Sequence, residues 1–387
     1  MKKILIVNNN LYIGGVQKAL VSLLWNIRDM YDITLLLFHP GGAYQADLPP
    51  EVKVITPDSA YRYLGMTRAD AVTWRHKLGR AFYAGITRLL GRKYAVNLMA
   101  IGQTRLGEFD VAVSYLHNGA DKLFYGGCNE FVLNHVIAAK KVAFLHCDYT
   151  LCGADTPANR KMYARFDAIA ACSQGCADAF LSVNPQLKDR VQVVTNCHLF
   201  DKIRQAAEDA PVQLDGNKIN VVTVARLGTE KGVERAVSSI ARLGQWKEKL
   251  HYHIVGDGPY RSLIEKIIQQ EGLGDCVTLH GMQTNPYGYI KAADLLLIPS
   301  YSEAAPLVIG EAACLGTPVL STETSSAREM VEAAGYGWVC QNSEDAMQKA
   351  LEDLLADPEA LDGAKKRLSA LAIDNSTAIS QFAQLIQ

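Results

Sequence analysis

Four charged side chains in the C-terminal half have the types and spacing of a polyanion-handling site. Arg226 and Lys231 stand five residues apart in Val224-Ala-Arg226-Leu-Gly-Thr-Glu-Lys231-Gly232. Glu303 and Glu311 flank Pro306 in Ser300-Tyr-Ser-Glu303-Ala-Ala305-Pro306-Leu307-Val308-Ile-Gly-Glu311. A guanidinium fork and a compact ammonium together neutralise phosphoryl oxygens, and that stabilisation is worth most when a phosphate leaves. Pro306 suits the first turn of a helix, so the amides of Ala305, Leu307 and Val308 are expected to point at an anion. Glu311 lies about 7.5 Å further along that helix at 1.5 Å per residue. There its carboxylate can accept from both hydroxyls of a diol. Taken singly, an acidic residue near a helix start is as readily explained by the helix dipole.

The N-terminal half offers less. Ile13-Gly14-Gly15-Val16-Gln17 opens a helix after the first apolar run, a turn that lets backbone approach a ligand or simply turns tightly. No G-x-G-x-x-G follows that run and no P-loop occurs, which argues against dinucleotide cofactors and P-loop nucleotides. Val142-Ala-Phe-Leu-His146 ends another apolar run on a histidine, a position equally suited to a structural residue. No D-x-D pair is present.

Parallel strands would position these residues. Short apolar runs at 4–7, 33–38, 111–114 and 142–145, and again at 220–225, 251–255, 276–279, 295–298 and 318–320, alternate with amphipathic stretches. The chain has 387 residues, more than one core usually serves. The expected fold is therefore α/β with two Rossmann-like domains: 1–200, a polar linker at 201–218, and 219–375. A last helix at 376–387 is expected to cross back to the first domain. The stretch from Asp345 onward, rich in Ala and Leu, reads as two or three helices.

A net charge of -1 excludes a nucleic-acid partner held by overall field. Nine cysteines without C-x-x-C spacing fit reduced thiols, and no apolar run reaches about 20 residues, so a cytoplasmic protein is expected.

Together, Arg226 and Lys231, His253-Ile-Val-Gly256-Asp-Gly258-Pro259 and the E-x7-E pair Glu303 and Glu311 resemble the retaining glycosyltransferase family 4 of the GT-B superfamily. The resemblance implies two parallel sheets facing a donor cleft. It also implies a sugar moved from a nucleotide diphosphate, a uridine diphosphate sugar by family frequency, to a surface polysaccharide or glycolipid. Arg226 and Lys231 would bind the diphosphate in place of a metal, Glu303 the sugar and Glu311 the ribose. Gly256 and Met282 would line the nucleobase pocket, Gly15 would face the diphosphate and acceptor, and His146 would orient the sugar. No cofactor is implied. Ala304-Ala305 replaces the Gly and aromatic residue common in that family, which keeps a non-catalytic GT-B partner as an alternative; a nucleotide-sugar epimerase on the same scaffold is another.

Residues 61–94 carry eight Lys or Arg (Arg62, Arg68, Arg75, Lys77, Arg80, Arg88, Arg92, Lys93) against one acid, Asp70. Trp74, Leu78, Phe82, Ile86 and Leu89 recur at helical spacing, which describes a basic amphipathic helix. It could rest on an anionic membrane or pack its apolar stripe on the N-terminal sheet.

Overall fold

Ile4, Leu5, Ile6 and Val7 are all fully buried. Their strand, β1 (Lys3–Asn8), sends side chains alternately to two faces, and both are covered. Leu5 and Val7 enter one core, with Phe38 and Phe131; Ile4 and Ile6 enter the other, with Leu20 and Leu24. A computed structural model describes every residue from Met1 to Gln387 and divides the chain into two units, Met1–Cys197 with Asn375–Gln387, and His198–Asp374.

In the first unit β1 is joined by β2 (Asp32–Leu37), β3 (Lys53–Ile55), β4 (Leu106–Ser114), β5 (Val136–Leu145), β6 (Ala168–Ala171) and β7 (Val191–Val193). All pair in parallel in the order β3-β2-β1-β4-β5-β6-β7. The second unit contains β8 (Ile219–Val224), β9 (Leu250–Val255), β10 (Val277–Gly281), β11 (Leu295–Ile298), β12 (Val319–Thr322) and β13 (Gly337–Cys340). Its parallel order is β10-β9-β8-β11-β12-β13. Both sheets reverse direction of growth once, between β1 and β4 and between β8 and β11. Such a reversal opens a crevice at the carboxyl ends of the two strands, where doubly wound sheets hold ligands.

Residues 201–218 are not a linker throughout. Phe200–Asp209 is a helix of the second unit, with Phe200, Ile203 and Ala207 buried, and the boundary falls earlier, after Cys197. The apolar spacing of that helix is masked by the charged residues between. Three helices close the chain, Glu344–Ala356, Pro358–Ala370 and Ser376–Leu385. The last lies in the first unit, where Ala378, Phe382 and Leu385 share a core with Leu20 and Leu24.

The basic segment departs from a single helix with a covered stripe. Gly91, at φ +94°, separates Trp74–Leu90 from Arg92–Met99. Arg80 and Arg92 turn inward. Arg80 Nε donates to the Met66 carbonyl at 2.9 Å. Arg92, 3% exposed, donates to Asn159 Oδ1 at 2.6 Å and to the Gly119 carbonyl at 2.9 Å. No helix is long and apolar enough to cross a membrane.

Candidate functional site

Of the charged residues singled out by sequence, the second unit brings Lys231 and Glu303 into contact, and Arg226 and Glu311 belong to the same unit. Arg226 and Lys231 follow β8, Glu303 follows β11, and these are the two strands that straddle the reversal. Lys231 Nζ lies 2.6 Å from Glu303 Oε1, and the Ser300 hydroxyl donates to the same oxygen at 2.7 Å. Both partners are largely shielded, with 24% and 11% of their side chains exposed. Arg226 is more open and donates to Glu230 Oε1 at 2.6 Å. Burial works to raise the Glu230 carboxyl, but its own backbone amide, Arg226 and Lys231 outweigh that and hold it below the usual carboxylate range.

Local backbone explains why Lys231 reaches β11. Thr229–Lys231 is a single tight turn ended by Gly232 at φ +60°, ψ 24°. A Cβ there would stand 2.1 Å from the Pro299 carbonyl oxygen, so only glycine lets this turn touch the end of β11. Arg235, on the helix that Gly232 opens, is 2% exposed. Its Nε donates to the Pro299 carbonyl and its Nη2 to the Ser300 carbonyl, each at 2.8 Å, and its guanidinium stacks 3.9 Å above the Tyr301 ring. Arg235 thus pins the strand end from which Glu303 is presented. Sequence reasoning missed it, although a cation among Val233, Ala236, Val237 and Ile240 marks a buried partner in advance.

Pro306 stands one position earlier than the sequence suggested, preceding the helix Leu307–Cys314 as its cap residue. The amides of Leu307 and Val308, first in the helix, have no earlier turn to donate to, while Ile309 N–H already donates to the Pro306 carbonyl at 3.2 Å. Ala305 lies in the turn before Pro306. Glu311 is 4% exposed, on the same helix. His198 Nε2 lies 3.1 Å from the Leu307 carbonyl, so Nε2 carries the proton. A Cβ on Gly310 would come within 2.6 Å of that imidazole. No sequence signal marks His198.

Gly256 follows β9 and donates its N–H to the Gly281 carbonyl at 2.8 Å, one residue before the exposed Met282. A Cβ on Gly256 would stand 1.8 Å from the Ala225 carbonyl oxygen. The close approach of the loops after β8 and β9 therefore accounts for this glycine by itself.

In the first unit Gly15 begins the helix Gly15–Ile27, and a Cβ there would meet nothing within 4 Å. The fold does not demand glycine at this position. His146 follows β5 and packs against Tyr115, ring centroids 4.6 Å apart and planes tilted by 45°. Its buried Nε2 has no partner. Burial, and secondarily His117, push the imidazole down to about 3, so at neutral pH it is uncharged. His117, after β4, is pushed down to about 4 by burial and has an unpartnered Nδ1. An uncharged imidazole can orient a hydroxyl through a hydrogen bond but brings no proton for general-acid work. His117 was not singled out by sequence; it lies three residues beyond β4, whereas His146 directly follows β5.

Residues 205–369 match the family model described as glycosyl transferases group 1. Within that span lie Arg226, Lys231, Gly256, Met282, Glu303 and Glu311. The chain is 30% identical over 159 residues to alpha-D-kanosaminyltransferase of Streptomyces kanamyceticus, covering 40% of this chain and 39% of that protein. It is 30% identical over 150 residues to the amylovoran biosynthesis glycosyltransferase AmsK of Erwinia amylovora, covering 37% of each. The chain thus spans well under half the length of the curated relatives it matches. Anabaena HepE, solved in complex with UDP and glucose, superposes with a TM-score of 0.68 at 19% identity over 99% of both chains. That likeness establishes the GT-B fold, two Rossmann-like domains with parallel sheets of seven and six strands.

Proposed function

We propose that this protein is a retaining glycosyltransferase moving a hexose or N-acetylhexosamine from a uridine diphosphate sugar to a surface polysaccharide or glycolipid acceptor. The observation that carries the reading is the Lys231 to Glu303 pair at the reversal between β8 and β11, with Arg226 and the open amides of Leu307 and Val308 in the same unit. The match to group 1 glycosyl transferases and the naming of AmsK for amylovoran biosynthesis support it, and HepE's complex with UDP and glucose supports the choice of donor.

In this reading the diphosphate competes with Glu230 for Arg226 and shares Lys231 with Glu303. Two cations and two helix-opening amides then stand where a divalent ion would otherwise be needed. The bond from the anomeric carbon to the phosphate oxygen breaks with its electron pair going to the diphosphate. The acceptor hydroxyl attacks from the same face and passes its proton to the departing phosphate oxygen, so configuration is retained and no protein nucleophile is used. Glu303 holds hydroxyls of the sugar and Glu311 the ribose. Gly256 and Met282 border the base. Gly15 and His146, in the first unit, are assigned the acceptor-facing and sugar-orienting roles.

The test is a panel of nucleotide sugars incubated with the full chain, with release of nucleotide diphosphate and product mass followed together, with and without chelator. Turnover of a UDP-sugar that survives chelator, with the anomeric configuration kept, is expected. Release by Lys231→Ala at the wild-type rate would remove the diphosphate assignment.

A further inference from the structure

The helix Trp74–Leu90 presents its apolar side to solvent rather than to the protein. Trp74, Leu78, Phe82 and Leu89 are 66%, 61%, 57% and 79% exposed. At about 100° per residue they fall within an arc of about 80°. The opposite side seats the helix. Gly79 lies flat on Tyr63, whose ring a Cβ would meet at 2.5 Å, Tyr83 packs against the same ring at 5.4 Å, and Thr87 is buried. This helix therefore has two apolar aspects, and the larger side chains face outward.

Charge says what the outward side fits. On the helical wheel Lys77 and Arg88 border the exposed arc on one edge and Arg75 on the other. All three are exposed, as are Arg62, Arg68 and Lys93 in the adjoining turns. The only acid in the segment, Asp70, is turned inward. It accepts from the Thr67 amide and hydroxyl, each at 2.6 Å, and from the Tyr12 hydroxyl. A row of aromatic and aliphatic side chains edged by cations, with the segment's one carboxylate withdrawn, complements a surface that is anionic outside and apolar a few ångströms below. Another protein surface would have to supply both an apolar groove and a double border of acids.

We infer that the Trp74–Leu90 helix is a docking face for an anionic phospholipid bilayer, on which it lies in the interfacial plane with Trp74, Leu78, Phe82 and Leu89 inserted and Arg75, Lys77 and Arg88 on the headgroups. The inference does not depend on the transfer reaction, because its readout is lipid binding.

The full chain is sedimented with vesicles of phosphatidylglycerol and phosphatidylcholine in equal parts, and with phosphatidylcholine alone, at low ionic strength and in molar salt. Three variants accompany it: Arg75→Gln with Lys77→Gln and Arg88→Gln, Leu78→Gln with Phe82→Gln, and Trp74→Phe. Wild type is expected to pellet with the anionic vesicles and to be released by salt. The triple variant should bind on the order of 100-fold more weakly, at about 5-fold per cation near an anionic surface. Tryptophan emission should shift to the blue on anionic vesicles, and Trp74→Phe should lose that shift. Wild type left in the supernatant, variants that pellet like wild type, or an emission shift that survives Trp74→Phe would each overturn the inference. So would a wild-type dimer, without lipid binding, that Leu78→Gln with Phe82→Gln dissociates.

Discussion

Lys231 Nζ rests 2.6 Å from Glu303 Oε1 although 72 residues separate them in sequence. The pair joins the loops after β8 and β11, and the Ser300 hydroxyl shares the same carboxylate oxygen. Replacing Lys231 with Ala removes a cation from the proposed diphosphate site and leaves Glu303 shielded without its counter-charge. Donor turnover should fall about 100- to 1,000-fold, the usual loss for one transition-state donor. Glu303→Gln keeps the Ser300 hydrogen bond and should also be impaired, and the double variant should lose less than the product of the singles. Steady-state nucleotide diphosphate release from the three variants measures this coupling; strictly multiplicative losses would show that the two residues act separately.

Arg235 should prove a positioning residue. Its guanidinium satisfies two buried carbonyls and is itself buried, so Arg235→Met strands those oxygens and should cost roughly 2 to 4 kcal/mol in urea unfolding. Arg235→Lys restores a charge without the fork and should recover only part of the stability. A residual folded fraction with weakened donor KM is expected, since Glu303 is presented from the segment that Arg235 holds.

Acid should unfold the protein through its buried imidazoles. His146 is pushed down to about 3, and His117 and His253 to about 4, chiefly by burial. Unfolding returns each to about 6.5, so between about pH 6.5 and about pH 4 the unfolded chain holds protons that the native chain does not. The stability they contribute is complete above pH 6.5 and is lost as pH falls, at about 1.4 kcal/mol per pH unit for each histidine. Urea midpoints taken from neutral pH downward should decline over this window, and His253→Gln should flatten the decline. A midpoint independent of pH between 6.5 and 4 would contradict the burial of these side chains.

Gly15→Ala separates ligand approach from folding. A methyl group at this position meets open space, so thermal unfolding should be unchanged or shifted slightly upward. If the turn meets substrate, turnover should nonetheless fall, and a variant with wild-type kinetics would return Gly15 to the role of an ordinary helix start.

Runs of β-branched and aliphatic residues made most of the sheet framework legible, because strands buried on both faces leave no polar alternation to confuse the reading. The strands β3 and β7 are only three residues long, and β6, Ala-Ile-Ala-Ala, and β13, Gly-Trp-Val-Cys, lack the run of large aliphatic residues that marks β11, so these four do not stand out. Lys231 and Glu303 were legible as chemistry but not as a pair, since their meeting depends on strand order. Arg235 was overlooked because it reads as surface charge until its neighbours on the helix are counted. The helix Phe200–Asp209 was hidden by its composition. The outward turn of Trp74, Leu78 and Phe82 could not be read from periodicity, which reports that a stripe exists and is silent on whether anything covers it.

The return of Ser376–Leu385 to the first unit makes the second unit an insertion with neighbouring ends. The Thr195 amide and hydroxyl both donate to Gln381 Oε1 at 3.0 Å, so the chain leaves and re-enters the first unit at one place. Residues 198–374 can therefore be exchanged as one cassette through a single pair of splices. Cutting the chain after 374, by contrast, strips Phe382 from a core in the opposite half. Exchange of the second unit among proteins of this build has a ready-made seam, and C-terminal trimming has a hidden cost at the far end of the sequence.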